Sequence, residues 1–389
     1  MIDYNKFLSP RVTSLQKSGI RKFFDIAEEM QDVTSLTVGE PDFDTPWHVR
    51  EAAIESLKKG RTKYTSNLGN LELREEIDRY LTRRFYMPYN PKTEILVTVG
   101  GSEAIDLAIR TIVAPGDEVI IVAPSFVCYA PIVSLTGGIP VMIETNAEND
   151  FKLTPEALKA AVTPKTKLLI LPFPSNPTGA VMERSDLEKI VPIIIESDIM
   201  VLSDEIYAEL SYGFKHTSIS TLEDMRERTI LVSGMSKSYA MTGWRIGYVC
   251  APEPIAAQMM KIHQYAIMCA PSTSQYAAIK ALRDGDEDIE YMANEYDGRR
   301  KIIYAGLKQI GIDCFEPKGA FYIFPSIKKF GMTSEQFCEK LLYNEKVAIV
   351  PGNAFGACGE GYVRISYAYS VSHINKALEK LELFVKKIL

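Results

Sequence analysis

Between residues 94 and 250, seven short apolar runs rich in β-branched residues recur, each followed by a longer stretch of mixed polarity. They are Glu94 to Val99, Glu118 to Val122, Val141 to Glu144, Lys167 to Leu171, Ile199 to Leu202, Thr229 to Val232 and Arg245 to Cys250. Strands buried on both faces read as continuous apolar runs, and such strands belong to parallel sheets covered by helices on either side. The intervening stretches supply helix candidates at Ser102 to Val113, at Thr154 to Ala161 behind a Thr-Pro cap, and at Arg184 to Glu196. The pattern predicts one large α/β domain built on a mostly parallel seven-stranded sheet.

After about residue 285 the rhythm changes to long helices around a few strands, beginning with Asp288 to Leu307 and ending with Ser372 to Leu389. In the last segment Ile374, Leu378, Leu381, Val385 and Ile388 fall on one helical face. A chain of 389 residues has room for a second domain at roughly 150 residues each, and this one reads as a smaller α+β unit. Pro271-Ser272-Thr273-Ser274 reads as a break between the two.

A formal charge of −6 leaves no basic field to attract nucleic acid or an anionic membrane. The cysteines (Cys128, Cys250, Cys269, Cys314, Cys338, Cys358) and the histidines (His48, His216, His263, His373) lack metal-ligand spacing, so reduced thiols and no metal are expected. No apolar run approaches the roughly 18 residues of a membrane span, and Met1 to Lys6 does not open a leader. A cytoplasmic protein with no membrane partner is the expectation.

Ligands of open parallel sheets sit beyond the carboxyl ends of the strands. Four such ends carry chemistry: Gly100-Gly101-Ser102-Glu103, Pro174 to Gly179 with Asn176, Ser203-Asp204-Glu205-Ile206-Tyr207, and Ser233-Gly234-Met235-Ser236-Lys237. Each has an ordinary reading alone, as a turn, a helix cap or a solvated lysine. Together they offer an anion cup, an amide, a carboxylate, a phenol and an amine to one crevice. A planar pyridine aldehyde that carries a phosphate requires that set, and pyridoxal phosphate is such a molecule. Arg245, eight residues after Lys237, adds a permanent cation for the phosphate.

Six ordered motifs then resemble the class I aminotransferases of pyridoxal-phosphate fold type I, notably the aspartate and aromatic ones. They are Val38 to Pro46, Tyr64-Thr65 with Gly69 and Leu73-Arg74, Ser175 to Gly179, Ser203 to Tyr207, Ser236 through Tyr248, and Val363 to Ser366. Pro317 to Phe324 and Val350-Pro351-Gly352 add to the likeness.

The resemblance implies that Lys237 is the Schiff-base lysine and proton carrier, and that Asp204 pairs with the pyridine nitrogen. Tyr207 and Asn176 would bond the phenolate oxygen, with Phe126 stacked on the ring. Phosphate would rest on the backbone of Gly101, Ser102 and Glu103, on Ser236 and on Arg245, with Tyr64 reaching in from the partner of a homodimer. Family members often carry a hydroxyl three residues before the lysine, where this chain has Gly234. Arg364 would grip the substrate α-carboxylate, helped by Asn176 and the backbone of Gly39. The implied organisation is an N-terminal segment over 1–35, a cofactor domain over 36–280 and a small domain over 281–389, with Gly19 to Phe24 as a lid.

The implied reaction moves an amino group from an L-amino acid, aspartate or aromatic, to a 2-oxo acid such as 2-oxoglutarate by a ping-pong mechanism. A β-eliminating lyase or a cyclopropane-forming synthase on the same fold is the alternative. A nicotinamide dehydrogenase is disfavoured because no Gly-x-Gly-x-x-Gly opens a helix after a strand. A DNA-binding regulator on this fold would need a further domain.

Overall fold

The computed structural model describes residues 2–15 and 30–388. The segment Gly19 to Phe24 lies outside the described residues. All seven apolar runs enter one sheet: β2 (Ile95–Thr98), β3 (Glu118–Ala123), β4 (Ile139–Glu144), β5 (Thr166–Leu171), β6 (Met200–Asp204), β7 (Thr229–Gly234) and β8 (Gly247–Cys250). Their order is β2-β8-β7-β6-β5-β3-β4. Every residue of β2 and β8 is buried, whereas β4, at the opposite edge from β2, buries only Ile143.

The run Arg245 to Cys250 differs from expectation in direction, because β8 is antiparallel to both neighbours. A parallel partner needs a crossover helix, but β7 and β8 are joined by a loop alone, and that suffices only for antiparallel strands. The loop therefore leaves and returns at one end of the sheet. Lys237, just past β7, and Arg245, just before β8, are kept at the same edge.

Helices Gly100–Ile112, Pro155–Ala161 and Arg184–Glu196 match the sequence pattern within two residues, and Thr154 caps Pro155–Ala161 by accepting from the Ala157 N–H. Pro271 to Ser274, read as a break, instead starts the helix Ser272–Asp284, which packs against Trp47–Lys58. Residue 280 falls inside that helix.

Beyond it, the helix Asp286–Ile310 carries three acids in its first turn, where they face the positive end of the helix dipole, and stops at a left-handed Gly311. It packs with Val371–Ile388. The latter buries Ile374, Ala377, Leu381, Phe384 and Val385. A three-stranded sheet of β11 (Val350–Pro351), β12 (Val363–Ser366) and β9 (Tyr322–Ile323) completes this region, together with a parallel pair of β1 (Thr34–Ser35) and β10 (Val347–Ala348). All six cysteines are free thiols. Among the described residues no helix is long and apolar enough to cross a membrane.

Candidate active site

The carboxyl ends of β2, β5, β6 and β7 open onto a cavity of about 330 Å³, closed from the other side by Gly39, Tyr322 and Arg364. Of the residues nominated by the resemblance, all but Glu103 and Tyr64 line it.

Lys237 lies three residues past β7, and its Nζ donates to the Gly39 carbonyl at 2.6 Å. Burial pulls its ammonium down to about 8, with the positive charges of Arg364 and Arg245 acting in the same direction and the Glu40 carboxylate opposing. An amine with that value is half unprotonated near pH 8, where an ordinary lysine is almost wholly protonated, and the free amine is the form that attacks an aldehyde.

Asp204 ends β6 and is 7% exposed. Its Oδ2 accepts from the Tyr129 hydroxyl at 2.7 Å and its Oδ1 from the Ile206 N–H at 3.2 Å. Burial pushes the carboxyl up, against the pull of those two hydrogen bonds. A buried carboxylate with no cation on it is costly, so this one has a place for a positive ligand atom. The sequence reading missed Tyr129. Tyr129 opens the helix Tyr129–Thr136, three residues after Phe126. The two rings meet edge to face at 6.1 Å.

The helix Gly100–Ile112 presents its first N–H groups to the same cavity through Gly101 and Ser102. Gly100 has φ +76, and a Cβ there would come within 2.6 Å of Arg245 Nη2. Arg245, itself left-handed at φ 51, is held by its own Nη1 donating to the Thr242 carbonyl at 2.9 Å. With Ser236 alongside, these groups form an anion cup. The Glu103 carboxylate takes no part. It accepts from the Val99 N–H and faces His263 instead. At Gly234 a Cβ would lie 2.9 Å from the Gly247 Cα. The close approach of β7 and β8 thus bars the hydroxyl that relatives often carry at that position.

Arg364 on β12 is buried. Its Nη1 donates to Asn176 Oδ1 at 3.0 Å, its Nη2 to the Thr37 carbonyl at 2.5 Å, and its guanidinium lies 4.6 Å from the Tyr322 ring centre. Its Nε has no partner among the described residues. A buried N–H left unfilled beside a cavity suits an acidic ligand. The Tyr322 hydroxyl, also missed from sequence, is 2.9 Å from that of Tyr207. The donor set therefore fits pyridoxal phosphate together with a carboxylate-bearing substrate.

Tyr64 is 81% exposed and outside the cavity of its own chain. Two residues stabilise its loop: Gln275 donates to Thr65 Oγ1, and Asn67 donates to the Met268 carbonyl.

The family model described as aminotransferase class I and II matches residues 31–381. Over 381 residues the chain is 53% identical to the putative aminotransferase YugH of Bacillus subtilis, covering 98% of this chain and 99% of that protein. It is 48% identical over 378 residues to an aspartate aminotransferase of Pyrococcus abyssi, covering 96% and 97% of the two chains. The crystal structure of an aromatic aminotransferase from Pyrococcus horikoshii superposes with a TM-score of 0.90 at 46% identity, over 94% of this chain and 100% of that one.

Proposed function

The chain belongs to the class I and II aminotransferase family, which works with pyridoxal phosphate, and we propose that it takes its amino group from an aromatic L-amino acid or aspartate and delivers it to a 2-oxo acid such as 2-oxoglutarate. The two half-reactions would alternate in one cavity as a ping-pong cycle. The observation that carries this reading is that Arg364, whose buried Nε has no partner among the described residues, lines the cavity that Lys237 and Asp204 also line.

The bound cofactor supplies an aldehyde that captures the substrate amine and a ring that withdraws the electron pair freed at the α-carbon. In this reading Lys237 Nζ anchors the aldehyde carbon and then takes and returns the α-proton. Asp204, oriented by Tyr129, holds a proton at the ring nitrogen. Tyr207 and Asn176 donate to the phenolate oxygen, and Phe126 covers the ring. The N–H groups of Gly101, Ser102 and Glu103, with Ser236 and Arg245, hold the phosphate. Arg364, backed by Asn176 and the Gly39 N–H, fixes the α-carboxylate, so the α-proton points at Lys237.

The cations lining the cavity among the described residues are Lys237, Arg245 and Arg364, each already committed in this scheme. A side-chain carboxylate therefore needs a further cation, whereas an aromatic side chain needs only apolar wall. Aromatic donors are thus expected to outrun aspartate. A panel of phenylalanine, tyrosine, aspartate and alanine against 2-oxoglutarate and pyruvate, following the new 2-oxo acid together with any ammonia, tests the reading. Ammonia released in step with substrate consumed would make the enzyme an eliminating lyase.

Arg364→Lys keeps the charge and loses the planar fork. It should raise KM for every amino and oxo acid by a similar factor, roughly ten- to a hundredfold. A loss confined to acidic substrates would move the α-carboxylate to another group.

We further place a working site at a dimer interface, with Tyr64 completing the phosphate cup of the partner. Its exposure supports this, as does that of Tyr265, Ile267 and Met268, next to which its loop is tied through Asn67. A hybrid of a Lys237→Ala subunit and a Tyr64→Ala subunit would then hold one site with both defects and one with neither. Activity should reappear on co-refolding the two impaired parents. No recovery in hybrids verified by mass would confine Tyr64 to its own chain.

A further inference from the structure

Glu103 stands in the first turn of the helix Gly100–Ile112, whose N-terminus forms the anion cup. A helix N-terminus draws in whatever anion can reach it. The anion nearest at hand belongs to the chain itself. Yet the Glu103 side chain stays out of the cavity, with both carboxylate oxygens engaged: Oε2 accepts from the Val99 N–H at 2.5 Å, and Oε1 faces Nδ1 of His263 at 2.7 Å. A carboxylate offers only lone pairs, so the proton between them sits on Nδ1.

His263 comes from the last turn of the helix Glu253–Ala266 and is 0% exposed. Its other nitrogen, Nε2, is buried with no partner among the described residues. An apolar side chain would fill that space without desolvating a nitrogen, so an imidazole there weakens the core unless its Nδ1–H has a task. Among the described residues, its one side-chain partner is Glu103.

We propose that His263 is a positioning residue that restrains the Glu103 carboxylate and so reserves the cup for the cofactor's phosphate. The proposal rests on the reading of Gly101, Ser102, Ser236 and Arg245 as that cup. Without the imidazole, the carboxylate keeps only its bond from the Val99 N–H and can swing toward the helix N-terminus and oppose the phosphate by charge.

The test uses the full chain stripped of cofactor and titrated in parallel with pyridoxal phosphate and with pyridoxal, which has the same ring and aldehyde but no phosphate. His263→Leu should weaken pyridoxal phosphate about tenfold relative to pyridoxal. Adding Glu103→Gln, which removes the charge to be restrained, should restore the wild-type ratio. A purely structural role for His263 would not give that rescue. Equal weakening of both ligands in His263→Leu, or a double variant that stays weak, overturns the proposal. Should His263→Leu fail to fold, His263→Met fills the same space with a more adaptable apolar chain, and the same pair of results decides. Arg245→Ala is the reference. If it leaves the ratio unchanged, the cup itself is misplaced and the proposal falls with it. If it lowers the ratio while His263→Leu does not, only the restraint is wrong.

Discussion

Lys237→Ala is expected to abolish turnover and to free the cofactor from its covalent link to the chain. The side chain removed would be both anchor and proton carrier. Loss of a positioned general base alone costs about 10²–10⁴-fold, and losing the anchor adds to that. Burial that pulls the amine to about 8 supports the role proposed for Lys237. After borohydride reduction of the wild-type enzyme, mass spectrometry should place the cofactor's mass on the peptide that carries Lys237 and nowhere else. A reduced adduct on any other lysine, or a Lys237→Ala protein that still turns over, would sink the assignment. An unchanged melting profile in the stripped variant would separate chemistry from folding.

Asp204→Asn should leave the fold intact and slow the α-proton step by more than about 3 kcal/mol, a hundredfold or more. The isosteric amide can still accept from Tyr129 or from the Ile206 N–H, the two donors that position the carboxylate. It cannot hold a positive charge on the ring nitrogen. Burial raises the cost of an unbalanced charge here, so the loss should far exceed that of a surface ion pair. The measurement is exchange of the substrate α-hydrogen with solvent, together with the isotope effect of an α-deuterated donor. Both should show the proton step becoming rate-limiting. Near-normal exchange would make Asp204 a cap at the end of β6 and nothing more.

Parts of the fold hidden from the sequence share one physical feature, polar side chains buried by distant partners. The helix Leu71–Phe85 buries Arg74 and Glu76 along with its apolar residues. Glu76 is paired by Arg79 and by Arg283 of another helix, so charged residues share the inner face with the stripe of Leu73, Ile77, Tyr80 and Leu81. Ser272–Asp284 buries Gln275, which accepts from the Asn70 N–H and donates to Thr65 and to the Ala270 carbonyl. Pattern reading counts such residues as exterior, and Pro271 with three small hydroxylated residues after it therefore read as a break. In contrast, the strand runs were legible because a strand with both faces covered is filled mainly by apolar residues, with polar ones such as Ser203 and Asp204 gathered at its end.

By itself the sequence determined what local chemistry can determine. The apolar runs specified a covered sheet, and the residues placed just beyond them, Asp204 past one run and Lys237 past another, specified which groups meet at its carboxyl edge. The ordered motifs specified the family. Tertiary structure alone decided how those groups are held. Tyr129 reaches Asp204 across 75 positions, Arg364 reaches Asn176 across 188, and His263 reaches Glu103 across 160. No periodicity links residues that far apart, because their contact depends on strand order and on helix packing. The reversed direction of β8 belongs to the same class, since it depends on how the loop from Met235 to Ile246 closes. That closure brings Arg245 over Gly100 and makes an anion cup from a turn the sequence leaves ambiguous.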